Sequence, residues 1–379
     1  MWRKILLGTG LLIVAAIAAC VIFAYRFDTR VRREWDAQLK SLAPKVLVGD
    51  AMFTKKVFCK SPSIGRVTQI VSGGLEVEGR DGLTIISNFG VHYVGPDGQV
   101  KRTTRFPTPV RSRVELVPLD RAGNYGFLTR DQSWKEDVLL CDKSGSQIWL
   151  YPKGVVGIND SSAAEAGENG KSTFVVGFNG GGGIVLLDSQ GKAIWRKSES
   201  NVWHVESLDV DGDGHREILN SNARGELLVR NMNGDIENRY LTCYYVTYFS
   251  LTRWGDESTA THILVPTTGC VTDSGKSLLI VLDAKGKTIV TLDATPGDWA
   301  TKATAVPMRT KGDRLFAVIQ TGVLPRSVLS VYNADNKIVY REVLGESCSA
   351  LNAASTEPQE KLFVGCDSSV WEYTLIAQH

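Results

Sequence analysis

The chain has 379 residues, 43% of them hydrophobic, with 37 glycines and 43 basic side chains against 41 acidic ones, for a net charge of +2. This balance excludes a disordered chain, a collagen and a nucleic-acid-binding surface. Length alone suggests two or three domains, but single β-rich domains often exceed that prior, so internal repeats are the first thing to seek.

In chain order, the first element is an uncharged run, Ile5 to Tyr25. At about 1.5 Å per residue it is long enough to cross roughly 30 Å of hydrocarbon as a helix, so residues 1–25 read as a signal anchor or transmembrane helix. The stretch "IAAC" ending at Cys20 resembles the lipobox of bacterial lipoproteins, which makes lipidation of Cys20 an alternative anchor; ordinary cleavage is a third. Arg26, Arg30, Arg32 and Arg33 follow the run, and by the positive-inside rule they would keep the rest of the chain cytoplasmic. The cysteines discussed below favour the opposite side.

Residues 26–44 carry Val31, Trp35, Leu39 and Leu42 at helical spacing, one apolar stripe that predicts a short helical stalk ending near Pro44. Such a stripe suits packing on the following domain or on a neighbour, or a dedicated partner.

From about residue 85 the pattern becomes short β-rich runs broken by Gly, Asn and Asp. One unit recurs: an apolar strand, a tight turn, a second apolar strand, as in "VLLCDKSGSQIWLYP" and "GIVLLDSQGKAIWRKS". The turns fall at Gly98, Gly145, Gly191, Gly234, Gly286 and Asn336, spaced by 43 to 52 residues, which is the length of a four-stranded antiparallel blade with its loops. Six such units precede a truncated seventh, "KLFVGCDSSVWEYTL", whose missing outer strand is expected from "TKKVFCKS" on the N-terminal side. The expected fold is therefore all-β, a seven-bladed β-propeller over residues 45–379, with eight or six blades as alternatives and the last blade closed by an N-terminal strand.

The pattern of Asp188, Gly191, Lys192, Ile194 and Trp195, echoed at Gly145, Ile148 and Trp149, resembles the repeats of the quinoprotein-like (PQQ-like repeat) propeller superfamily. Trp149 and Trp195 are expected to pack between blades. That resemblance makes a quinoprotein-type oxidoreductase conceivable. Against PQQ stand the blade count, the chain length and the lack of an adjacent cysteine pair; haem attachment would need CxxCH, which the sequence lacks.

In "SLDVDGDGHREIL", Asp209, Asp211 and Asp213 alternate and Glu217 takes the ninth position. A hard cation such as Ca2+ suits this order, since it takes six to eight oxygen ligands. An EF-hand would need a glutamate at the twelfth position, where Asn220 stands. The stretch is similar to the calcium loop of FG-GAP and VCBS repeats, the integrin α-subunit propeller family. The resemblance implies side-chain ligands from Asp209, Asp211, Asp213 and Glu217, a backbone carbonyl from His215, and a loop joining the first two strands of a blade. One structural calcium ion is the expectation.

Seven cysteines are present and no CxxC occurs. Facing residues of a hairpin have a constant index sum, so a disulfide's midpoint should fall on the turn. Cys348 with Cys366 centres on "STEPQEK", and Cys243 with Cys270 centres on "WGDES". Both are disulfide candidates, and disulfides would put the domain outside the cytoplasm.

No local catalytic motif emerges. "GFNGGGG" lies between apolar strands as a hairpin loop and not a phosphate cradle. His204, beside Trp203 and Glu206, reads either as a hydrogen-bonded strand histidine or as a residue facing the central channel. The expected function is a membrane-held, extracytoplasmic binding or scaffolding module (periplasmic or cell-surface) for a protein or glycan partner, with no nucleic acid involved. The alternative is a propeller enzyme, an oxidoreductase or a polysaccharide lyase or hydrolase, with its site in that channel.

Overall fold

The computed structural model describes residues 43–73, 82–107, 113–130, 137–151, 157–166, 170–254, 261–270, 278–293, 300–309, 314–322, 326–356 and 359–376. The anchor run, Cys20 and residues 26–42 of the stalk lie outside the described residues. Among the described residues no helix is long and apolar enough to cross a membrane.

The described part of residues Lys45–His379 is all-β and folds as a seven-bladed propeller. Blade 1 comprises Val67–Ser72, Leu83–Ser87, Gly90–Val94 and Val100–Arg105. Blade 2 runs over Arg113–Pro118, Tyr125–Arg130, Val138–Asp142 and Gln147–Tyr151, and blade 3 over Ile158–Ala166, Ser172–Phe178, Ile184–Leu187 and Ala193–Lys197. Blade 4 consists of Val202–Leu208, Glu217–Asn222, Leu227–Arg230 and Ile236–Tyr240. In blade 5 the inner edge is split: Tyr244–Val246 and Ser250–Thr252 both pair with His262–Cys270, which is followed by Leu278–Leu282 and Thr288–Asp293. Blade 6 holds Ala300–Arg309, Arg314–Gly322, Ser327–Asn333 and Ile338–Val343, and Lys45–Val48 joins its outer edge as a fifth strand. Blade 7 takes Cys348–Thr356, Gln359–Cys366 and Ser369–Leu375 from the end of the chain and Phe53–Lys60 from its beginning.

The second and third strands of the blades are buried almost end to end, as in "STFVVGF" and "EILNSN". Period-2 alternation then sorts their side chains between two neighbours. Phe174 and Val176 face blade 2, whereas Val175 faces blade 4; Ile218 faces blade 3, whereas Leu219 faces blade 5. The outcome is seven apolar cores, one between each consecutive pair of blades and one, containing Cys59, Ile70, Leu83 and Phe363, between blade 7 and blade 1.

The recurrent turns hold Gly98, Gly145, Gly191, Gly234, Gly286 and Asn336 at positive φ, the left-handed region that costs glycine nothing and asparagine little. A second reason for glycine appears at all five glycines: a Cβ on Gly98 would lie 2.1 Å from the Phe58 carbonyl oxygen and one on Gly145 2.6 Å from the Arg105 carbonyl oxygen, and the other three meet an aromatic ring. A Cβ on Gly191 would lie 2.9 Å from the Trp149 ring, one on Gly234 would lie 3.0 Å from Trp195, and one on Gly286 would lie 2.3 Å from Tyr240. The aromatic residue of one blade's outer strand thus lies against the turn of the next blade. Trp195 Nε1 also donates to the Met232 carbonyl at 2.7 Å, and Tyr240 donates to the Ala284 carbonyl at 2.9 Å. The Trp149 and Trp195 side chains therefore pack between blades.

The seam is clasped by charge as well as by pairing. Lys55 Nζ lies 2.7 Å from Glu342 Oε1 in blade 6 and 4.4 Å above the Trp371 ring of blade 7. Tyr340 and Tyr373 both donate to Glu342 Oε2 at 2.8 Å, and Phe53 packs edge-on against both rings.

Gly191→Ala should cost more stability than Gly123→Ala. Both glycines have positive φ, +77° and +87°, but nothing lies within 4 Å of a Cβ on Gly123. The expected losses are about 1 kcal/mol for Gly123→Ala and about 2–4 kcal/mol for Gly191→Ala. Denaturant melts of the two variants check this, and equal losses would remove the steric role of Trp149.

Candidate functional site

The innermost strands of the blades run in the same sense round the axis, so their first residues meet at one mouth of the central channel. There the chain presents Arg113 and Glu115 from blade 2, Asp160 and Ser162 from blade 3, and His204 and Glu206 from blade 4. Tyr248, between the two short inner strands of blade 5, and Lys302 of blade 6 complete the arc.

Asp160 is the buried centre, 2% exposed. Arg113 Nη1 donates to both of its oxygens at 2.8 and 2.9 Å, the Val205 amide donates at 3.2 Å, and His204 Nδ1 donates to Oδ2. Arg130 Nη1 stands 3.5 Å away. Burial alone would raise the Asp160 carboxyl, but the charge of Arg113, the hydrogen bond from His204 and the charge of Arg130 outweigh it and hold the group well below the usual carboxylate range. An ionised Asp160 fixes the proton of His204 on Nδ1. Nε2 then points away from the aspartate, buried, with no hydrogen-bond partner and 3.6 Å from Glu206 Oε1. The imidazole is wedged between Tyr248, at 4.1 Å between ring centroids, and the edge of Phe249 at 4.6 Å.

Arg113 is the hub of the charge network. Besides Asp160 it donates through Nη2 to Glu206 Oε1 at 2.9 Å, and the same nitrogen lies 3.4 Å from Glu115 Oε2 without the alignment of a hydrogen bond. Ser162 Oγ donates to Glu206 Oε2 at 3.0 Å and is 3.4 Å from Glu115 Oε1. Glu115 is therefore poorly provided for. Burial and the neighbouring Glu206 charge push its carboxyl up to about 8, against the pull of Arg113. Burial likewise raises Tyr248 to about 12 and lowers Lys302 to about 8. A cluster of groups displaced in opposite directions is characteristic of binding and catalytic sites. Chemically this one can hold a charge, accept a proton at His204 Nε2 or Glu206, and donate one from Glu115 or Tyr248.

The acidic loop occupies the turn between the first two strands of blade 4. Oxygens of Asp209, Asp211 and Glu217 lie within 4.8 Å of one another. Backbone amides brace the carboxylates: Gly212 and Gly214 donate to Asp209, Asp213 to Asp211, and Val210 to Glu217. Asp213 stands apart from the trio and accepts from the His215 amide at 2.7 Å. Hard oxygen donors at this separation fit a cation of the calcium type, with three of the four carboxylates already convergent.

Among the cysteines, Cys348 and Cys366 face each other across the first two strands of blade 7 and form a disulfide. Tyr244 pairs with Cys270, which puts Cys243 one residue from the expected register; the Cys270 side chain lies outside the described residues. Cys59 is a buried thiol whose pKa burial raises.

The sequence had singled out His204 alone from the channel group. Arg66, Arg113, Asp160, His204 and Tyr248 are nevertheless spaced 47, 47, 44 and 44 residues apart, the period of the repeat itself. A polar residue recurring at that phase is the signal that could have exposed the cluster.

Among solved structures, the chain resembles that of BBS1N in complex with ARL6DN, with a TM-score of 0.56 and 15% identity over 86% of this chain and 97% of that one. It also resembles the Pan2 WD40 domain of Neurospora crassa, with a TM-score of 0.51 and 13% identity over 87% and 98%. No family model and no curated protein matches the sequence. The likeness is one of fold, the seven-bladed propeller.

Glu115→Gln should flatten the pH dependence of stability. The folded carboxyl holds its proton up to about 8, whereas in the unfolded chain it ionises near its ordinary value of about 4.3. Between those limits the unfolded state carries fewer protons, so wild-type stability falls as pH rises. Denaturant midpoints from pH 5 to 9 should converge at the acid end and favour the variant at the alkaline end; parallel curves would refute the assignment.

Proposed function

We propose that this chain is a partner-binding propeller that recognises another protein at the channel mouth. The observation that carries the reading is the convergence there of charged and aromatic side chains from five successive blades, a surface that no single segment of the chain encodes. One of the similar propellers, BBS1N, is described in complex with a protein, ARL6DN, which supports a protein partner here too. The Cys348–Cys366 disulfide supports an extracytoplasmic location, and the apolar run Ile5–Tyr25 supports a membrane anchor, with lipidation at Cys20 as the alternative. A photo-cross-linker at position 66, on the mouth, should give a discrete cross-linked species in the native membrane, whereas one at position 192, on an outer turn, should not. Equal behaviour at the two positions would overturn the reading.

The calcium loop completes this reading and supports kinship with FG-GAP and VCBS propellers, one more label that the motif suggests. Asp209, Asp211 and Glu217 would hold the ion, with Asp213 and the His215 carbonyl completing the set, and the ion would neutralise the crowded carboxylates of the turn. Native mass spectrometry of the full chain should show one calcium lost on adding chelator, and Asp211→Asn should weaken retention. A mass unaffected by chelator would exclude the ion.

A second reading, an enzyme working in the channel, is favoured by one observation: His204 is oriented by Asp160 with Nε2 unpartnered beside Glu206. That is the arrangement of a general base awaiting a substrate proton.

A further inference from the structure

The innermost strands of five blades carry one extra residue at their second position, a β-bulge at Thr68, Asn159, Trp203, Thr301 and Ser349. Such a bulge re-aims one side chain out of the ladder. In three of these blades a small polar residue uses the position to clasp the next blade: Ser349 Oγ donates to the Val67 carbonyl at 3.1 Å, Thr68 Oγ1 to the Val114 carbonyl at 3.0 Å and Asn159 Nδ2 to the Val202 carbonyl at 2.9 Å. Blade 4 departs from this pattern. Its bulge holds Trp203, which meets blade 5 edge-on at Tyr245, with 5.7 Å between ring centroids and 68° between the planes.

Both side chains reach solvent: Tyr245 is 46% exposed and Trp203 partly so. Tyr245 is nonetheless held in place. Its hydroxyl donates to the Ala223 carbonyl at 3.1 Å, the Val246 amide donates to the Gly225 carbonyl at 2.9 Å, and a Cβ on Gly225 would lie 2.2 Å from the ring. A fixed, exposed aromatic loses little conformational entropy when a ligand covers it. The other described tryptophans are engaged within the fold: Trp195, Trp254 and Trp371 donate through Nε1 to Met232, Asn336 and Glu346, and Trp149 is buried. Trp203 Nε1 makes no hydrogen bond among the described residues.

The polar groups beside the pair are engaged with one another. Arg224, whose neighbours Ala223 and Gly225 hold Tyr245, pairs with Glu199 at 3.1 Å and with Glu226 at 2.9 Å, and Asn201 accepts from Asn159 at 2.6 Å. What the pair itself offers a ligand is two aromatic surfaces and a single N–H donor. This is the recognition chemistry of a polyproline II segment: its proline rings pack on aromatic side chains, its proline nitrogens carry no hydrogen to satisfy, and its backbone carbonyls accept from an indole. A saccharide would bring a rim of hydroxyls to rings that carry one donor, and a charged segment would find its counter-charges already paired.

We propose that Trp203 and Tyr245 seat a proline of an extended, polyproline II segment of a partner protein, the proline ring laid against the aromatics and a neighbouring carbonyl accepting from Trp203 Nε1. The proposal rests on the protein-partner reading above and names the kind of segment that the partner offers.

Fluorescein-labelled decaproline is titrated with the full chain in mild detergent and followed by anisotropy, beside a glycine–serine peptide of equal length. Decaproline should bind saturably and the control should not. Trp203→Thr, which puts the repeat's own type of residue into the bulge, should weaken binding about tenfold or more. Trp203→Phe, which keeps a ring, loses the donor and should melt as wild type does, should weaken it roughly threefold to tenfold. No saturable binding of decaproline, equal binding of the two peptides, or affinity unchanged in both variants would overturn the proposal. So would binding of chitotriose in place of decaproline, lost in Trp203→Thr, which would assign the pair to a glycan. The cross-linker at position 66 keeps the two readings apart: a cross-linked partner without decaproline binding leaves a partner that does not use this seat, whereas decaproline binding without a cross-link leaves the seat and removes the interface at the mouth.

Discussion

Everything in this molecule depends on closure of the ring. Seven blades with seven interblade cores leave no apolar blade face open to water, whereas an open arc would expose two. The seventh core is possible because Phe53–Lys60 crosses from the beginning of the chain to pair with Ser369–Leu375, bringing Cys59 and Phe58 into the packing between blades 7 and 1. Lys55, Glu342 and the two tyrosines then tie that strand to blade 6, so the seam is held on both sides. The Cys348–Cys366 bond reinforces the inner edge of the same blade.

Closure also makes the channel mouth. Arg113, Asp160 and His204 belong to three blades, and they meet only because the inner strands of those blades are adjacent on a circle of fixed size. The buried ion pair they form is stabilising only as a set: an isolated Asp160 carboxylate, 2% exposed, would cost several kcal/mol, and its three hydrogen-bond donors and the nearby Arg130 offset this cost. The network therefore locks blades 2, 3 and 4 in register, and the same rigidity holds His204 Nε2 and Glu206 in a constant arrangement.

The two levels of this structure were unequally legible in the sequence. Blade count followed from the spacing of Gly98 to Asn336, because a tight turn demands positive φ and glycine declares it. The Cys348–Cys366 pairing followed from hairpin arithmetic, since register in an antiparallel pair is a property of index sums. The exposed "KVLV" strand on blade 6 gave no such sign, having no alternation to mark a buried face. The channel cluster was hidden for a different reason. Each blade contributes one or two residues to it, so no window of the chain contains a motif, and Arg113 and Asp160 look like ordinary strand charges until the ring brings them together. His204 was visible only through its neighbours Trp203 and Glu206.

The order in which the N-terminal strands join the ring sets the order in which it would yield. Lys45–Val48 is zipped along the outer edge of blade 6 before the chain reaches Phe53–Lys60, the strand that seals blade 7. A pull arriving from upstream of Lys45 meets this short, exposed strand first, and can peel it away while the sealing strand stays paired. The fifth strand of blade 6 thus stands between a pull on the chain upstream of Lys45 and the seam that keeps the propeller closed.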